Sequence, residues 1–163
     1  MARTADYSGQ ACAVAAALQV VGDPWTLLIV RDVLRGARRF EQFQASLGCA
    51  RNVLAARLKA LVAEGVLVRR PYSERPPRFE YAPTDKALEL FPVIAALMAW
   101  GDRHVYGDGD APVHLTHSCG ERFQPTLTCA ACGEIAGPRD VRARTVGGER
   151  VADAFARREV AAS

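Results

Sequence analysis

The sequence predicts a mainly α fold with a small β part (α+β), followed by a small Cys- and His-containing β-rich appendage at the C-terminal end. Three observations support this prediction. Apolar residues recur at spacings of three and four over most of the first 105 residues, which is typical of helices that face a core. Two short apolar segments flank an arginine- and proline-rich loop, which indicates a β-hairpin. Beyond residue 112 the chain becomes rich in glycine and cysteine.

The composition is that of a globular chain. Half of the 163 residues are hydrophobic and 24% are charged. We find no apolar run near the roughly 18 residues that a membrane helix needs, and no charged start and cleavage site of a signal peptide. The expected compartment is therefore the cytoplasm, where the five cysteines are expected to be thiols, metal ligands or redox sensors rather than disulfides.

Two helices are predicted before residue 36. Residues 12–22 are almost continuously apolar and end at Gly22. Asp23 is a suitable N-cap for a second helix, which has Pro24 at its first position and ends at Gly36. The second helix carries an apolar stripe that is expected to face the core, formed by Trp25, Leu28, Ile29 and Val33.

A helix-turn-helix pattern follows. Residues 40–48 predict a short helix, and residues 49–65 predict a longer helix with one apolar and one polar face. The turn between them falls on Gly48, Cys49 and Ala50, which fits a helix-turn-helix unit. The polar face of the longer helix is expected to hold Arg51, Asn52, Ala55, Ala56 and Lys59.

The next predicted elements are a hairpin and an interrupted helix. VLVRRPY (66–72) and RFEYAPT (78–84) predict two strands, and SERPP between them predicts a loop longer than a two-residue turn. Thr84 is expected to cap a helix that Pro92 either kinks or divides in two. That helix is apolar on nearly all sides, which favours burial against a second subunit.

Positive charge is concentrated between residues 23 and 82. This segment carries eleven Lys/Arg and six Asp/Glu, a net charge of +5, whereas the rest of the chain has a net charge of −2. The hairpin region alone contributes Arg69, Arg70, Arg75 and Arg78. A basic segment of this kind favours an anionic partner.

A helix-turn-helix followed by a basic hairpin is the plan of a winged helix. In this plan the second helix enters the major groove, where side chains reach base edges, and the hairpin loop lies over the flanking phosphates. Prolines keep such a loop extended, so that it loses less entropy on docking. The alternative is a solvated basic hairpin that binds nothing. DNA binding is favoured, because the preceding helix also has a basic face.

Three segments carry a family resemblance over residues 12 to about 104. They are CAVAAALQVVGDPWTLLIVRDVLRGARRFEQF, LAARLKALVAEGVLVRRPYSERPPRFEYAPT and LMAWGDRH. Together they resemble the HxlR-type, MarR-like winged-helix transcriptional regulators. The resemblance implies a DNA-binding repressor or activator that forms a two-fold symmetric homodimer through its first and last helices. Family members often have Thr-Glu-Lys-Gly after the hairpin, which is the wing of the winged helix. This chain has Thr84-Asp85-Lys86-Ala87 there, a difference at the start of a helix.

Within this resemblance ten residues are predicted to contact double-stranded DNA at a pseudo-palindromic operator. Early residues of the predicted helix 49–65, which is the recognition helix of this plan, should reach base edges. The arginines of the hairpin should contact phosphates. Arg57 could instead form a salt bridge with an acidic neighbour, and Arg38 and Arg39 could simply be solvated. The predicted set is Arg38, Arg39, Arg51, Asn52, Ala55, Arg57, Lys59, Arg69, Arg75 and Arg78.

Cys12 is the predicted sensing residue. The resemblance implies a thiol at this position that senses oxidants or electrophiles, and a helix N-terminus increases the reactive thiolate fraction of a cysteine. The alternative is a small core residue. Cys49, in the turn, is expected to pack in the core. A small-molecule effector bound in an apolar dimer cleft is also compatible with the sequence.

The C-terminal cysteines and histidines predict a structural zinc ion. CAAC (129–132) followed by Gly133 is typical of a metal-binding turn, and HLTHSCG (114–120) supplies further ligands. A tetrahedral Cys3His site would use His117, Cys119, Cys129 and Cys132, with His114 as another available histidine. The alternative is a set of reduced or redox-active cysteines.

The resulting domain prediction has four parts: a winged-helix DNA-binding and dimerisation domain (1–105), a linker (106–112), a zinc-ribbon-like segment (113–148) and a tail (149–163). A repressor without catalytic residues is the favoured function. The first alternative is a metal-responsive regulator that uses the C-terminal cluster. A thiol or zinc enzyme is disfavoured, because no catalytic motif includes Glu121 or Glu134 beside the cysteines.

Overall fold

The computed structural model describes residues 7, 9, 12–107 and 111–144. The chain forms two compact units, Met1–Phe123 and Gln124–Ser163. The sequence predicts a linker over 106–112, whereas residues 113–123 group with the first unit. The predicted tail (149–163) and the end of the predicted zinc-ribbon-like segment (145–148) lie outside the described residues.

Helices dominate the described part of the first unit, which also contains one two-stranded antiparallel sheet. The predicted fold class is therefore confirmed. The elements are α1 (Ala13–Val21), α2 (Pro24–Leu34), α3 (Phe40–Leu47), α4 (Arg51–Ala63), β1 (Leu67–Glu74), β2 (Pro77–Pro83), α5 (Asp85–Leu88), α6 (Phe91–Gly101) and a π-helical turn (Asp102–Tyr106).

The start and end of α2 follow from its sequence. The Asp23 side chain accepts a hydrogen bond from the Trp25 N–H at 3.0 Å, and Pro24 occupies the first helical position, where a missing N–H costs nothing. Gly36 has a φ of +100°, a backbone conformation that favours glycine and stops the helix. The predicted N-cap is therefore confirmed.

The core lies between α2, α3, α4 and the base of the hairpin. Two members of the predicted α2 stripe, Ile29 and Val33, are fully buried, and Trp25 packs against the same cluster. Burying a leucine or phenylalanine side chain stabilises a fold by roughly 1.5–3 kcal/mol. The other large side chains of the cluster are Val30, Phe43, Leu54, Leu58, Leu61, Val66 and Leu67.

The turn between α3 and α4 is short and is stabilised by hydrogen bonds to the backbone and side chain of Gln44. Gly48 ends α3 with a φ of +63°, and its N–H donates to the Gln44 carbonyl at 3.0 Å. The Gln44 side-chain amide also donates to the Cys49 carbonyl. Cys49 is only 6% exposed and belongs to the core cluster, as its sequence position predicts.

The hairpin is longer than the sequence predicts. A β-bulge between Pro71 and Ser73 leaves Tyr72 without a partner in the register, and pairing then continues to the end of β1. Only Arg75 and Pro76 remain as the turn, so the predicted five-residue loop is wrong. The bulge absorbs the extra residue, and the Ser73 hydroxyl donates to the Pro76 carbonyl at 3.1 Å across the tip.

The base of the hairpin is joined to the helix-turn-helix through the segment before α3. The Tyr81 N–H donates to the Arg38 carbonyl at 2.7 Å, and Arg39 forms a β-bridge with Glu80. The Tyr81 ring meets the Phe43 ring edge-on at 6.2 Å. These contacts fix the direction of the hairpin relative to α3 and α4.

The last helical segment is divided, one of the two outcomes that its proline allows. Thr84 stands at the N-cap position of α5, but its hydroxyl donates to the carbonyls of Gly65 (2.7 Å) and Val66 (2.9 Å) instead of capping the helix. Pro92 is the second residue of α6, where a proline is tolerated. Thr84 therefore joins the end of the hairpin to the end of α4.

Each unit contains one turn of the same design. In the segment LTHSCGERF (115–123), backbone bonds join His117 to Glu121 and Leu115 to Phe123. In LTCAACGEIA (127–136), the matching bonds join Cys129 to Glu134 and Leu127 to Ala136. Glycines with positive φ, Gly120 and Gly133, complete the two turns. The sequence predicts no repeat here.

Among the described residues, no single helix is both long enough and apolar enough to cross a membrane.

Candidate nucleic-acid interface

The exposed face of α4 is the one that the sequence predicts. Arg51, Asn52, Ala55 and Lys59 are exposed and lie within about 100° of one another around the helix, given 3.6 residues per turn. Leu54, Leu58 and Leu61 are buried on the adjoining face of the helix, which is centred about 100° away. The helix thus presents two cations, one amide and one small residue to solvent.

Arg51 is held at the N-terminal end of α4. Its guanidinium carbon lies 4.8 Å from the centre of the Phe40 ring, which is a cation–π contact between the two helices of the helix-turn-helix. This contact limits the positions open to Arg51 while its side chain remains exposed.

Arg57 forms a salt bridge with Asp23. Its Nη2 atom lies 3.1 Å from Asp23 Oδ2, and the two side chains are 32% and 17% exposed. The same carboxylate caps α2, so one acidic residue joins the start of α2 to the middle of α4. The salt bridge is one of the two roles that the sequence allows for Arg57, and DNA contact by this residue stays a prediction.

Arg38 and Arg39 differ in their surroundings. The Arg38 Nη1 atom donates to the carbonyls of Val33 (2.6 Å) and Ala37 (2.8 Å), so its charge lies against the C-terminal end of α2. Arg39 is exposed, and its guanidinium carbon lies 4.4 Å from the centre of the Tyr72 ring in the hairpin. Arg39 is therefore the more accessible of the two.

The arginines of the hairpin differ in whether their side chains have a partner within the described part of the chain. The guanidinium carbon of Arg69 lies 3.4 Å from the centre of the Phe79 ring, a cation–π contact between the two strands. Arg75 and Arg78, at and beside the tip, are exposed, and their side chains form no hydrogen bond or ion pair within the described part of the chain. These two guanidinium groups are free to meet an anion.

Two further residues belong to this surface although the sequence analysis left them out of the predicted set. Arg70 is exposed on β1, opposite Glu80 in the register, and Tyr72 lies in the bulge beside Arg39. Strand alternation places Arg69 and Arg70 on opposite faces of the hairpin, so Arg70 extends the cationic surface to the second face. The cluster of arginines in the hairpin sequence could have added Arg70, whereas nothing local in the sequence marks the bulge.

Cys12 is the N-cap of α1 and is exposed. The backbone N–H groups of Ala15 and Val14 lower the pKa of its thiol, because they stabilise the thiolate. Cys12 is therefore exposed and has a lowered thiol pKa, whereas Cys49 is buried, and sensing by Cys12 stays a prediction.

The four predicted zinc ligands are divided between the two units. In the first unit, His117 Nδ1 lies 3.1 Å from Cys119 Sγ. In the second, the pKa of Cys129 is lowered by the backbone N–H groups of Cys132 and Ala131 and by the Cys132 thiol. Within each unit, as far as it is described, no three His, Cys, Asp or Glu side chains could hold a metal ion.

The comparison with known families decides the identity of the first unit. Residues 20–108 match the HxlR-like helix-turn-helix family. The chain belongs to this family. The match covers α2 to the π-helical turn, and so includes every candidate DNA-binding residue.

Relatives and solved structures agree with the family. The chain is 43% identical over 129 residues to an uncharacterised HTH-type transcriptional regulator of Mycobacterium tuberculosis, covering 78% of this chain and 82% of the relative. It is similar to the crystal structure of PA1607, a proposed transcription factor, with a TM-score of 0.76, 37% identity and coverage of 85% and 98%. The reduced form of the redox regulator HypR is 27% identical, with a TM-score of 0.52 over 55% of this chain and 90% of HypR.

These findings establish a transcriptional regulator with a winged helix-turn-helix DNA-binding domain. The relatives are transcriptional regulators and not enzymes, so the prediction that the chain is not an enzyme is confirmed. The second helix of the helix-turn-helix is α4, and the wing is the hairpin of β1 and β2.

Proposed function

We propose that the protein is a homodimeric repressor that binds a pseudo-palindromic operator. The proposal is supported by one observation: α4 and the wing together expose a set of cationic side chains. The set includes Arg51 and Lys59 on α4 and Arg75 and Arg78 in the wing. A repressor of this kind would act by occupying DNA that the transcription machinery needs.

Base contacts are assigned to the exposed face of α4. Arg51 and Asn52 lie in its first turn and have the donor and acceptor groups that read guanine and adenine edges in the major groove. Ala55 offers a methyl group to thymine, and Lys59 is one turn further on. Each good bidentate contact contributes roughly 1–3 kcal/mol of discrimination.

Phosphate contacts are assigned to the wing and its neighbours. Arg75 and Arg78 are exposed and lack partners in the described part of the chain, so no internal ion pair must break when they meet DNA. Arg39 and Arg69, whose guanidinium groups lie over aromatic rings, keep free N–H groups for phosphate oxygens. For Arg38 and Arg57 we favour a supporting role, because their charges already have partners.

The homodimer is proposed to form through α1 and α6. Val93, Leu97 and Trp100 follow one another at helical spacing on α6 and are 45%, 51% and 56% exposed. Val14 and Leu18 form a similar exposed pair on α1. Apolar side chains aligned in this way favour a protein partner, and a second copy places two wings on one duplex.

Two modes of control are open. Oxidation or alkylation of Cys12, beside the proposed interface, is supported by its lowered thiol pKa and by the similarity to HypR, which is a redox regulator. A small-molecule effector is the other mode. Replacing Cys12 by serine separates them, since only thiol control requires the sulfur.

A structural zinc ion held by His117, Cys119, Cys129 and Cys132 stays a proposal. Its support is the donor set itself and the shared hydrogen-bond design of the two turns, each of which offers two of the ligands. A zinc-responsive regulator is the second candidate function that this cluster favours. We expect native mass spectrometry to find one zinc per chain, which Cys129→Ser but not Cys12→Ser removes; metal-free protein with an unchanged melting temperature in chelator would exclude the ion.

The proposed function is tested by selecting duplexes from a random pool with the full-length chain. We expect an enriched sequence with two-fold symmetry and half-sites about one helical turn apart. A reporter gene placed under that sequence should be expressed less when the protein is present. Retention of all sequences alike would contradict sequence-specific binding, and increased expression would contradict repression.

A further inference from the structure

An apolar cavity opens between α2 and α6 in the first unit. Its volume is about 360 Å³, within the range of roughly 300–1,000 Å³ that small-molecule sites occupy. Phe91 and Leu88 line it and are 41% and 50% exposed, so a ligand could bury apolar surface that is now in contact with water. The apolar lining consists of Leu34, Leu88, Phe91, Ile94, Met98 and Leu115.

The segment after the π-helical turn supplies one wall of the cavity. Leu115 contributes this wall, and it lies beyond the family match, which ends at residue 108. The segment is fixed in place because Arg122 forms a salt bridge with Asp102 at 3.1 Å and the Phe123 ring lies 6.0 Å from the Phe91 ring. These two contacts hold the segment that carries Leu115 beside α6 and the π-helical turn.

The polar groups of the cavity are two arginines of α2. The guanidinium of Arg31 is neutralised by its neighbour Asp32, with Nε and Nη2 at 2.8 and 2.7 Å from the same carboxylate oxygen. Arg35 is exposed, and its side chain forms no hydrogen bond, ion pair or ring contact within the described residues. One uncompensated positive charge thus borders an otherwise apolar space.

We infer that this cavity binds a small carboxylic acid with an aliphatic body. The carboxylate pairs with Arg35, and the hydrocarbon chain lies against the leucine, isoleucine and methionine side chains of the walls. Five of the six apolar lining residues are aliphatic, which favours a flexible chain over a flat ring system. This inference gives a chemical class and a place to the small-molecule effector of the proposed function.

The cavity and the proposed dimer contact lie on different sides of α6. Phe91, Ile94 and Met98 recur at spacings of three and four toward α2, whereas the stripe of Val93, Leu97 and Trp100 is rotated from them by more than 90° around the helix. A ligand in the cavity would contact α2, which holds α4 through Asp23 and Arg57.

Isothermal titration calorimetry of decanoate into the full-length chain, without DNA, tests the inference. We expect saturable binding of one decanoate per chain, and Arg35→Gln should weaken it tenfold or more. The neutral analogue 1-decanol should bind wild type and Arg35→Gln equally, because it makes no ion pair. Arg103→Gln, which removes an exposed charge that does not line the cavity, should leave decanoate binding unchanged.

A second pair of variants tests the position of the ligand. Leu115→Trp should fill the cavity and abolish binding of both decanoate and 1-decanol. Leu127→Trp, at the corresponding position of the second turn, should change neither. Absence of decanoate binding, or equal affinity of wild type and Arg35→Gln, would overturn the inference. Because no DNA is present, that result would leave the proposed operator binding standing, and operator binding could fail while decanoate still bound.

Discussion

At the scale of single residues, the environment of each arginine decides what it can do. The sequence allows Arg57 either a DNA contact or a salt bridge, and it places Arg75 among the hairpin arginines that are expected to contact phosphates. In the structure Arg57 pairs with Asp23, whereas Arg75 has no partner in the described part of the chain. The partner of Arg57 lies far away in sequence, so no local pattern could have shown which arginines are already neutralised.

Replacing Arg75 and Arg78 by alanine should weaken binding to all duplexes by a similar factor. Removing two phosphate contacts should also reduce the slope of log K against log salt concentration by about 2. Fluorescence anisotropy at several salt concentrations measures both quantities. Asn52→Ala is the contrasting variant, because it should change base preference and leave the salt slope as it was; unchanged DNA binding in both variants would contradict the assigned surface.

Cys12 should react with iodoacetamide faster than Cys49 at neutral pH. The backbone N–H groups at the start of α1 lower the Cys12 pKa, so its thiolate persists to lower pH than that of an ordinary cysteine, whose pKa is about 8.5. Peptide mass spectrometry of samples alkylated between pH 6 and 9 gives the rate at each site. A Cys12 rate whose midpoint lies at or above pH 8.5 would contradict this prediction.

At the scale of elements, most boundaries could be predicted because they depend on local chemistry. Asp23 with Pro24 starts α2, Gly48 ends α3, and the alternation of exposed and buried residues on α4 follows its sequence. The length of the wing could not be predicted, since the bulge at Tyr72 depends on pairing across the sheet. The role of Thr84 also could not be predicted, because its hydroxyl donates to the carbonyls of Gly65 and Val66, which lie between α4 and β1.

The salt bridge between Asp23 and Arg57, which connects α2 to α4, gives a stability prediction. Asp23→Ala removes both the helix cap and the salt bridge, and should lower the free energy of unfolding by about 1–3 kcal/mol. Asp23→Asn keeps a capping acceptor and loses only the charge, so it should cost no more than about 1 kcal/mol, as should Arg57→Ala. Urea denaturation measures all three; an Asp23→Asn loss as large as that of Asp23→Ala would show that the cap contributes nothing.

At the scale of the whole molecule, the proposed dimer would explain why the chain leaves apolar helix faces exposed. The sequence of the last helix is apolar on nearly all sides. In the structure one side of α6 packs on the core, while Leu97 and Trp100 remain half exposed. The partner of that open side is not readable from one chain, since it is supplied by another molecule in the proposed dimer.

Leu97→Glu should therefore convert the dimer into monomers. A carboxylate at the centre of the apolar stripe on α6 must lose its water if the interface forms, which costs several kcal/mol. Sedimentation velocity reports the change in mass. Leu127→Glu is the matched control, because Leu127 is an exposed leucine of the second unit and its replacement should leave the dimer intact. A Leu97→Glu protein that stays dimeric would place the interface elsewhere.

The central claim is that two copies of the α4 and wing surface bind one duplex together. The most direct test is an anisotropy titration of the full-length chain against a selected duplex and against the same duplex with one half-site scrambled, at salt concentrations from 50 to 200 mM. We expect two chains per intact duplex, an affinity that falls steeply with salt, and much weaker binding to the scrambled duplex. A monomer that ignores DNA even at the lowest salt concentration would contradict it.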